Sequence, residues 1–185
     1  MKELTTTFKQ LRKYDACKDR YAVLRESLRG RGDDEPITMI EILDSNGLAD
    51  ALWALRAVPD EQAAERDKLA RLFACQCVRQ VWHLLTDERS RTAIEVAERY
   101  AFGEATRDAL NAAYYAAAYA AADAAAYYAA YAAYYAAYAA DAAAYYASYA
   151  AAYAAYAAYA AYYADADAAA AARDAQAAKF REMFG

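Results

Sequence analysis

Proline occurs twice and glycine five times in this 185-residue chain, too few to supply the turns of a β-sandwich or barrel. Cysteine is also sparse. Cys17, Cys75 and Cys77 form an odd-numbered set, which argues against a disulfide framework and for a reducing compartment. His83 is the sole histidine, and no serine or cysteine has a spacing that signals a nucleophile–base partnership with it. There is no glycine-rich phosphate loop and no paired-carboxylate motif, and Asp165 and Asp167, two apart, do not face one site. Cys75 and Cys77, two apart on one helix, point in nearly opposite directions, so small buried thiols explain them better than zinc does. We therefore expect no catalytic site, no metal and no cofactor.

Positive charge is missing from one long stretch. Residues 1–111 carry 18 Lys/Arg and 20 Asp/Glu, whereas residues 112–172 carry no Lys or Arg and only Asp123, Asp141, Asp165 and Asp167. With a net charge of −5 the chain lacks the footprint of a nucleic-acid binder. Met1 to Thr7 has no apolar signal core, and the alanine- and tyrosine-rich tail, with its aspartates, is a poor membrane span. The expectation is a cytoplasmic protein that touches neither membrane nor nucleic acid.

What is present is helical pattern. Leu4, Phe8 and Leu11 are spaced for a helix over 4–13, and Asp15 can cap a second over 16–28, with Ala16, Tyr21, Leu24 and Leu28 inward. A charged turn follows, containing Arg31-Gly32-Asp33. Pro36 fits the first turn of a helix through Leu43, which Asn46-Gly47 breaks. Leu48 to Val58 is a short apolar helix ended by Pro59. Asp60 caps a helix over about 61–85, with Leu69, Leu72, Phe73, Val81, Trp82 and Leu85 as its core stripe. Thr86-Asp87 starts another, closed by Gly103. These pieces predict a bundle of about six short helices over 1–103, the first of two domains.

The second domain, 104–185, has no glycine or proline between Glu104 and Phe184. Alanine, the strongest helix former, dominates it. The expected fold is therefore all-α, with the bundle followed by one long continuous Ala/Tyr-rich helix of roughly 120 Å. A helical hairpin or a solenoid, with Asp123 and Asp141 capping separate helices, is the alternative. A path of tyrosines from Tyr115 to Tyr163, broken by Asp123 and Asp141, advances in steps of 4, 4 and 3, an 11-residue period. Seventeen tyrosines lie between 114 and 163. Fully bared they would offer roughly 2,500 Å², well beyond the 300–600 Å² apolar patches usual on monomers. That area predicts burial by a homo-oligomer or a protein partner, through Tyr127, Tyr131, Tyr138, Tyr145, Tyr149 and Tyr156. Phe180, Met183 and Phe184 share a helix face that can anchor the C-terminal end to the bundle or to a second subunit.

Tyr14-Asp15-Ala16-Cys17, Leu52-Trp53-Ala54-Leu55, Leu72-Phe73-Ala74-Cys75, Arg91-Thr92-Ala93-Ile94-Glu95 and Tyr100-Ala101-Phe102-Gly103-Glu104, followed by an alanine-rich tail, give the chain a resemblance. Over essentially its full length it resembles immunity proteins of bacterial polymorphic toxin systems. The resemblance implies neutralising a toxin by binding it, and core positions for Cys17 and Cys75. The leading expectation is a non-enzymatic protein-binding or self-assembling helical protein. Two other readings stand beside it. Alanine-rich helices with an 11-residue period look like one class of ice-binding proteins, although those place a threonine in each repeat and residues 107–185 have none. Stacked tyrosines could also hold a structural filament together.

Overall fold

The computed structural model describes residues 3–123, 131–132, 134–136, 149–150, 153–154 and 166–185. Those residues are overwhelmingly helical, as the composition predicts. The chain opens with β1 (Thr5–Thr6) and α1 (Phe8–Lys13), followed by α2 (Lys18–Ser27), β2 (Ile37–Thr38), α3 (Met39–Asn46) and α4 (Leu48–Ala54). Then come α5 (Ala63–Arg79), α6 (Glu88–Ala101), α7 (Arg107–Asp123) and, at the C-terminal end, α8 (Ala166–Phe184). Short 3-10 turns at Leu55–Ala57, Asp60–Gln62 and Trp82–Leu84 link the helices.

Several boundaries move for local reasons. The helix expected from Leu4 begins only at Phe8, because the β-branched Thr5 and Thr6 pair antiparallel with Thr38 and Ile37. The buried Thr6 hydroxyl donates to the Ala57 carbonyl at 2.6 Å, which fixes this two-stranded ribbon to the bundle. Pro36 precedes β2 instead of opening a helix. The helix start passes to Thr38, whose hydroxyl accepts from the Glu41 N–H at 3.1 Å while the Glu41 carboxylate accepts from the Thr38 N–H at 2.8 Å. This reciprocal box satisfies two amides that would otherwise be left over. Asp15 takes a left-handed φ of 57° in the turn, so Cys17 and not Asp15 flanks α2. Gly47, at φ 86°, separates α3 from α4 at the Asn46-Gly47 break. The helix expected to reach residue 85 ends at Arg79. Asp87 caps α6 through the Arg89 N–H at 2.8 Å.

The charged turn holds itself together. Arg31 makes a two-pronged pair with Glu41 at 2.6 and 2.9 Å, and Asp33 receives Arg12 at 2.5 Å and also Arg25. Both charged ends of the Arg-Gly-Asp triplet are thus engaged inside the chain.

The tail departs from a rod. In an unbroken helix, residues 20 apart are separated by roughly 30 Å, yet the rings of Tyr114 and Tyr134 lie 4.9 Å apart and stacked. Tyr131 stacks on Tyr153 at 5.6 Å, and Tyr135 meets Tyr149 at 5.2 Å. In these last two pairs one residue number falls as the other rises, the register of two antiparallel segments. A single continuous helix over 104–184 is therefore not what the described residues adopt. Alanine's helix propensity is indifferent to whether a helix continues or doubles back. Packing decides, and here doubling back buries rings that a rod would leave wet.

The core does not stop at residue 103. One buried cluster joins Phe8, Ile37, Met39, Leu55, Phe73 and Ile94 to Leu110, Ala132, Ala150, Ala154, Phe180 and Phe184. α8 returns to α5, α3 and α4. Phe180 and Phe184 stack on each other at 4.1 Å and lie T-shaped to Phe73 at 5.5 and 6.3 Å. Arg181, one residue along, pairs with Asp44 of α3 at 2.5 Å.

Candidate functional site

α7 presents tyrosine to the outside. It runs alongside α6, and Ala113 and Ala117 press against Ala93 with Val96 packed beside them. Leu110 and Ala120 are buried as well. Methyl-sized side chains let the two helices approach closely, so the alanine face is the one α7 spends on the bundle. Gly103, at φ 77°, and the Thr106 hydroxyl, which accepts from the Ala109 N–H at 3.2 Å, shape the turn between the two helices.

The tyrosines then sort by direction. Tyr114 turns to the chain's own tail, stacks on Tyr134 and shares a 2.8 Å hydroxyl–hydroxyl hydrogen bond with it. Tyr115 and Tyr119, four residues apart on one face, are 62 % and 70 % exposed. Further along, Tyr131, Tyr134, Tyr135, Tyr149 and Tyr153 make a mutual cluster. Each of four tyrosines here is followed by a buried alanine, at Ala132, Ala136, Ala150 and Ala154. Burial first, and then the surrounding phenols of Tyr153, Tyr134, Tyr131 and Tyr149, raise the Tyr135 hydroxyl above its ordinary range. This cluster is uncharged and built for packing.

The sequence-selected contact residues divide accordingly. Tyr131 and Tyr149 fall in the intrachain cluster, and only Tyr149 keeps appreciable exposure, at 38 %. Phe180 and Phe184 are core residues of the bundle, which settles their anchor on this chain's own helices. Tyr127, Tyr138, Tyr145 and Tyr156 lie outside the described residues. Of the tyrosines in the tail, Tyr114, Tyr131, Tyr134, Tyr135, Tyr149 and Tyr153 pack on one another within the chain. Tyr115 and Tyr119 belong to the 11-residue path but were not among the selected contacts. The signal that could have found them is their position opposite Ala113, Ala117 and Ala120, on a helix directly after a capped turn.

The cysteines carry no reactive arrangement among the described residues. Cys75 and Cys77 are both buried, and burial pushes the Cys75 thiol up to about 12 and the Cys77 thiol higher still. Cys17 is exposed beside the start of α2, not in the core as the resemblance implies. Among the described residues no three His, Cys, Asp or Glu side chains converge as a metal site, and no helix is long and apolar enough to cross a membrane.

Concavities lie elsewhere among the described residues. One, of about 290 Å³, is lined mainly by apolar groups of α1, α2, α3 and α4, including Leu24, Ile42 and Trp53. The Arg20–Asp50 ion pair of 2.7 Å lies among its lining residues. The other, of about 350 Å³, lies where α5, the end of α6 and the start of α7 meet, and its lining is polar. Comparison with known proteins finds no matching family model, no matching curated protein and no matching solved structure.

Proposed function

We propose that this chain is a non-enzymatic, self-associating helical protein whose contact is anchored by Tyr115 and Tyr119 of α7. The carrying observation is their joint exposure on a helix whose opposite, alanine face is fixed to α6. Rings held this way bring large contact area at low entropic cost. The preferred occupant is a second copy, because ring-on-ring stacking of the Tyr114–Tyr134 kind is the mode this sequence already uses internally. A two-fold contact would set each α7 face against its counterpart. The lack of Lys and Arg over 112–172 keeps strongly hydrated cations away from it.

Magnitude sets the strength. At ~150 Å² per ring, the two exposed rings offer roughly 200 Å², well short of the ~1,200 Å² buried in a stable complex. They are anchors within a wider contact, and the association is of micromolar strength. Sedimentation velocity from about 1 to about 200 µM covers that range. The expected result is a mass that rises with concentration, and its loss in the Tyr115→Lys/Tyr119→Lys variant at unchanged helicity. A wild-type chain that stays monomeric throughout contradicts the reading.

A toxin-neutralising role is the narrower form of the same proposal. The resemblance supports it, and a toxin partner would be recognised by the same exposed rings. Leu52, Leu55, Phe73, Ala74, Cys75, Ala93 and Ile94, which carry much of that resemblance, are buried and so fix packing, not partner choice.

A further inference from the structure

The tyrosines of the tail form a path as well as a core. Tyr115 is 62 % exposed on α7, and its ring centre lies 5.0 Å from that of Tyr114. Tyr114 stacks on Tyr134 at 4.9 Å, Tyr134 meets Tyr135 at 4.9 Å, and Tyr135 meets Tyr149 at 5.2 Å. Tyr149 is again 38 % exposed. Rings in near contact thus run from one solvent-facing phenol to another through three half-buried ones.

Packing explains the rings, and the hydroxyls add a second capability. A tyrosine is oxidised by losing one electron together with its phenolic proton, because the ring cation is a strong acid. Passing an oxidising equivalent from one tyrosine to another therefore moves both particles. The electron needs ring contact and the proton needs a short hydrogen bond. Tyr114 and Tyr134 supply both. Their planes are 29° apart at 4.9 Å, and their oxygens are 2.8 Å apart, the usual O–H···O length. A phenoxyl radical on Tyr114 can take the hydroxyl hydrogen of Tyr134. The Tyr134 O–H bond breaks, the Tyr114 O–H bond forms, the electron moves in the same direction, and no net charge develops. The two partners are chemically alike, so the exchange is close to thermoneutral. Avoiding charge matters here, because burial disfavours a phenolate in this cluster, as the raised Tyr135 pKa shows.

We propose that Tyr115, Tyr114 and Tyr134 form a radical relay that accepts an oxidising equivalent from a metal-centred one-electron oxidant and passes it to Tyr135 and Tyr149. At entry the metal centre gains one electron from Tyr115, whose phenolic proton goes to water. Tyr114 then reduces the Tyr115 radical by one electron, releasing its own proton to water while Tyr115 takes one up. The hydrogen-atom exchange with Tyr134 follows. From there the ring contacts to Tyr135 and Tyr149 carry the electron, each donor losing and each acceptor regaining one proton. The net result is one reduced metal centre, one proton in water and one phenoxyl radical displaced from its point of entry. The relay operates within a single chain, so it does not rest on self-association through Tyr115 and Tyr119.

A tethered photo-oxidant tests it in the full chain. Asn111 is exposed and one helical turn before Tyr115. Asn111→Cys, in a Cys17→Ser background with Cys75 and Cys77 buried, carries a ruthenium polypyridyl complex that a flash and an irreversible quencher convert to ruthenium(III). The chain is kept at about 1 µM to suppress transfer between copies. A nitroso spin trap fixes the radicals, and peptide fragmentation locates the adducts. The expected result is adducts at Tyr135 and Tyr149 as well as at Tyr115. Tyr114→Phe and Tyr134→Phe keep a ring in place but present one that ruthenium(III) cannot oxidise. Each should lower the Tyr135 and Tyr149 adducts at least about tenfold at unchanged helicity, with more adduct retained at Tyr115. Tyr119, 70 % exposed but without a ring contact among the described residues, is the control. Tyr119→Phe should leave the distribution as it is. Adducts confined to Tyr115 and Tyr119 in the wild-type sequence overturn the relay. So do Tyr135 and Tyr149 adducts that persist past either Phe substitution, or that are lost in Tyr119→Phe.

Discussion

The hydroxyls of Tyr114 and Tyr134 meet at 2.8 Å while their rings stack at 4.9 Å across a sequence separation of 20 residues. That contact ties α7 to the later part of the tail, and it divides the tyrosines of α7 into an inward ring, Tyr114, and outward rings, Tyr115 and Tyr119. A double-mutant cycle with Tyr114→Phe and Tyr134→Phe should give a coupling energy of about 1 kcal/mol, the net worth of one partly buried hydrogen bond. Urea unfolding of the four proteins measures it. Additive effects would mean that the two hydroxyls do not meet.

Phe180 anchors the C-terminal helix. It is fully buried, T-shaped to Phe73 and stacked on Phe184. Phe180→Ala should destabilise the whole chain by about 3–5 kcal/mol, in a single cooperative transition shared by bundle and tail. An independently melting tail, with the bundle unaffected, would show that α8 contributes little to the common core.

The alanine face of α7 is intolerant of bulk. Ala117 is fully buried against α6, so Ala117→Leu should cost about 1–3 kcal/mol through overpacking, despite leucine's good helix propensity. Ala→Leu at an exposed position of the same helix should be close to neutral. Ala112 serves as that control. Chemical denaturation compares the two.

Thiol reactivity should follow burial. Cys17 is exposed, whereas Cys75 and Cys77 are buried with raised pKa values. An aromatic disulfide reagent at pH 8 should therefore titrate one thiol rapidly in the native chain and all three after denaturation. Rapid native reaction of a second thiol would contradict the packing of α5 against α6.

Acid should loosen the charged turn first. Burial alone would raise the Glu41 pKa, but the Arg31 fork and the Thr38 amide more than compensate and hold it below the usual range. Asp33 is held down chiefly by Arg12. Carboxylates with depressed folded-state pKa values stabilise the fold above the ordinary carboxylate range, and that stability is lost as the pH falls through their folded values. Stability should accordingly fall below about pH 4, and less steeply in Glu41→Gln, which has already lost the pair. Identical acid profiles for wild type and variant would remove Glu41 from the account.

The helical class was legible in the sequence because sparse glycine and proline and a 3.6-residue apolar stripe are local signals. Gly47, Asp87 and Gly103 mark boundaries through their own backbone or side-chain chemistry, and the structure places boundaries there. The Thr5–Thr6 strand was not legible, since its pairing partner sits 33 residues away at Thr38. Nor was the reversal of the tail. A repeat of alanine and tyrosine encodes a helix at every position and says nothing about which tyrosine meets which, and no glycine or proline between Glu104 and Phe184 announces a turn. The inward packing of Tyr131 and Tyr149 was hidden for the same reason: they share the period of Tyr115 and Tyr119, and only tertiary packing separates inward from outward.

The most direct test is a nuclear Overhauser measurement on chains with isotope-labelled tyrosine, assigned with Tyr114→Phe and Tyr134→Phe variants and diluted with unlabelled chains to exclude contacts between copies. A strong intrachain cross-peak between the rings of Tyr114 and Tyr134 is the predicted result. A Tyr114 ring that sees only its neighbours on α7 would restore the straight rod, and with it a continuous bare tyrosine face in place of the two-ring anchor described above.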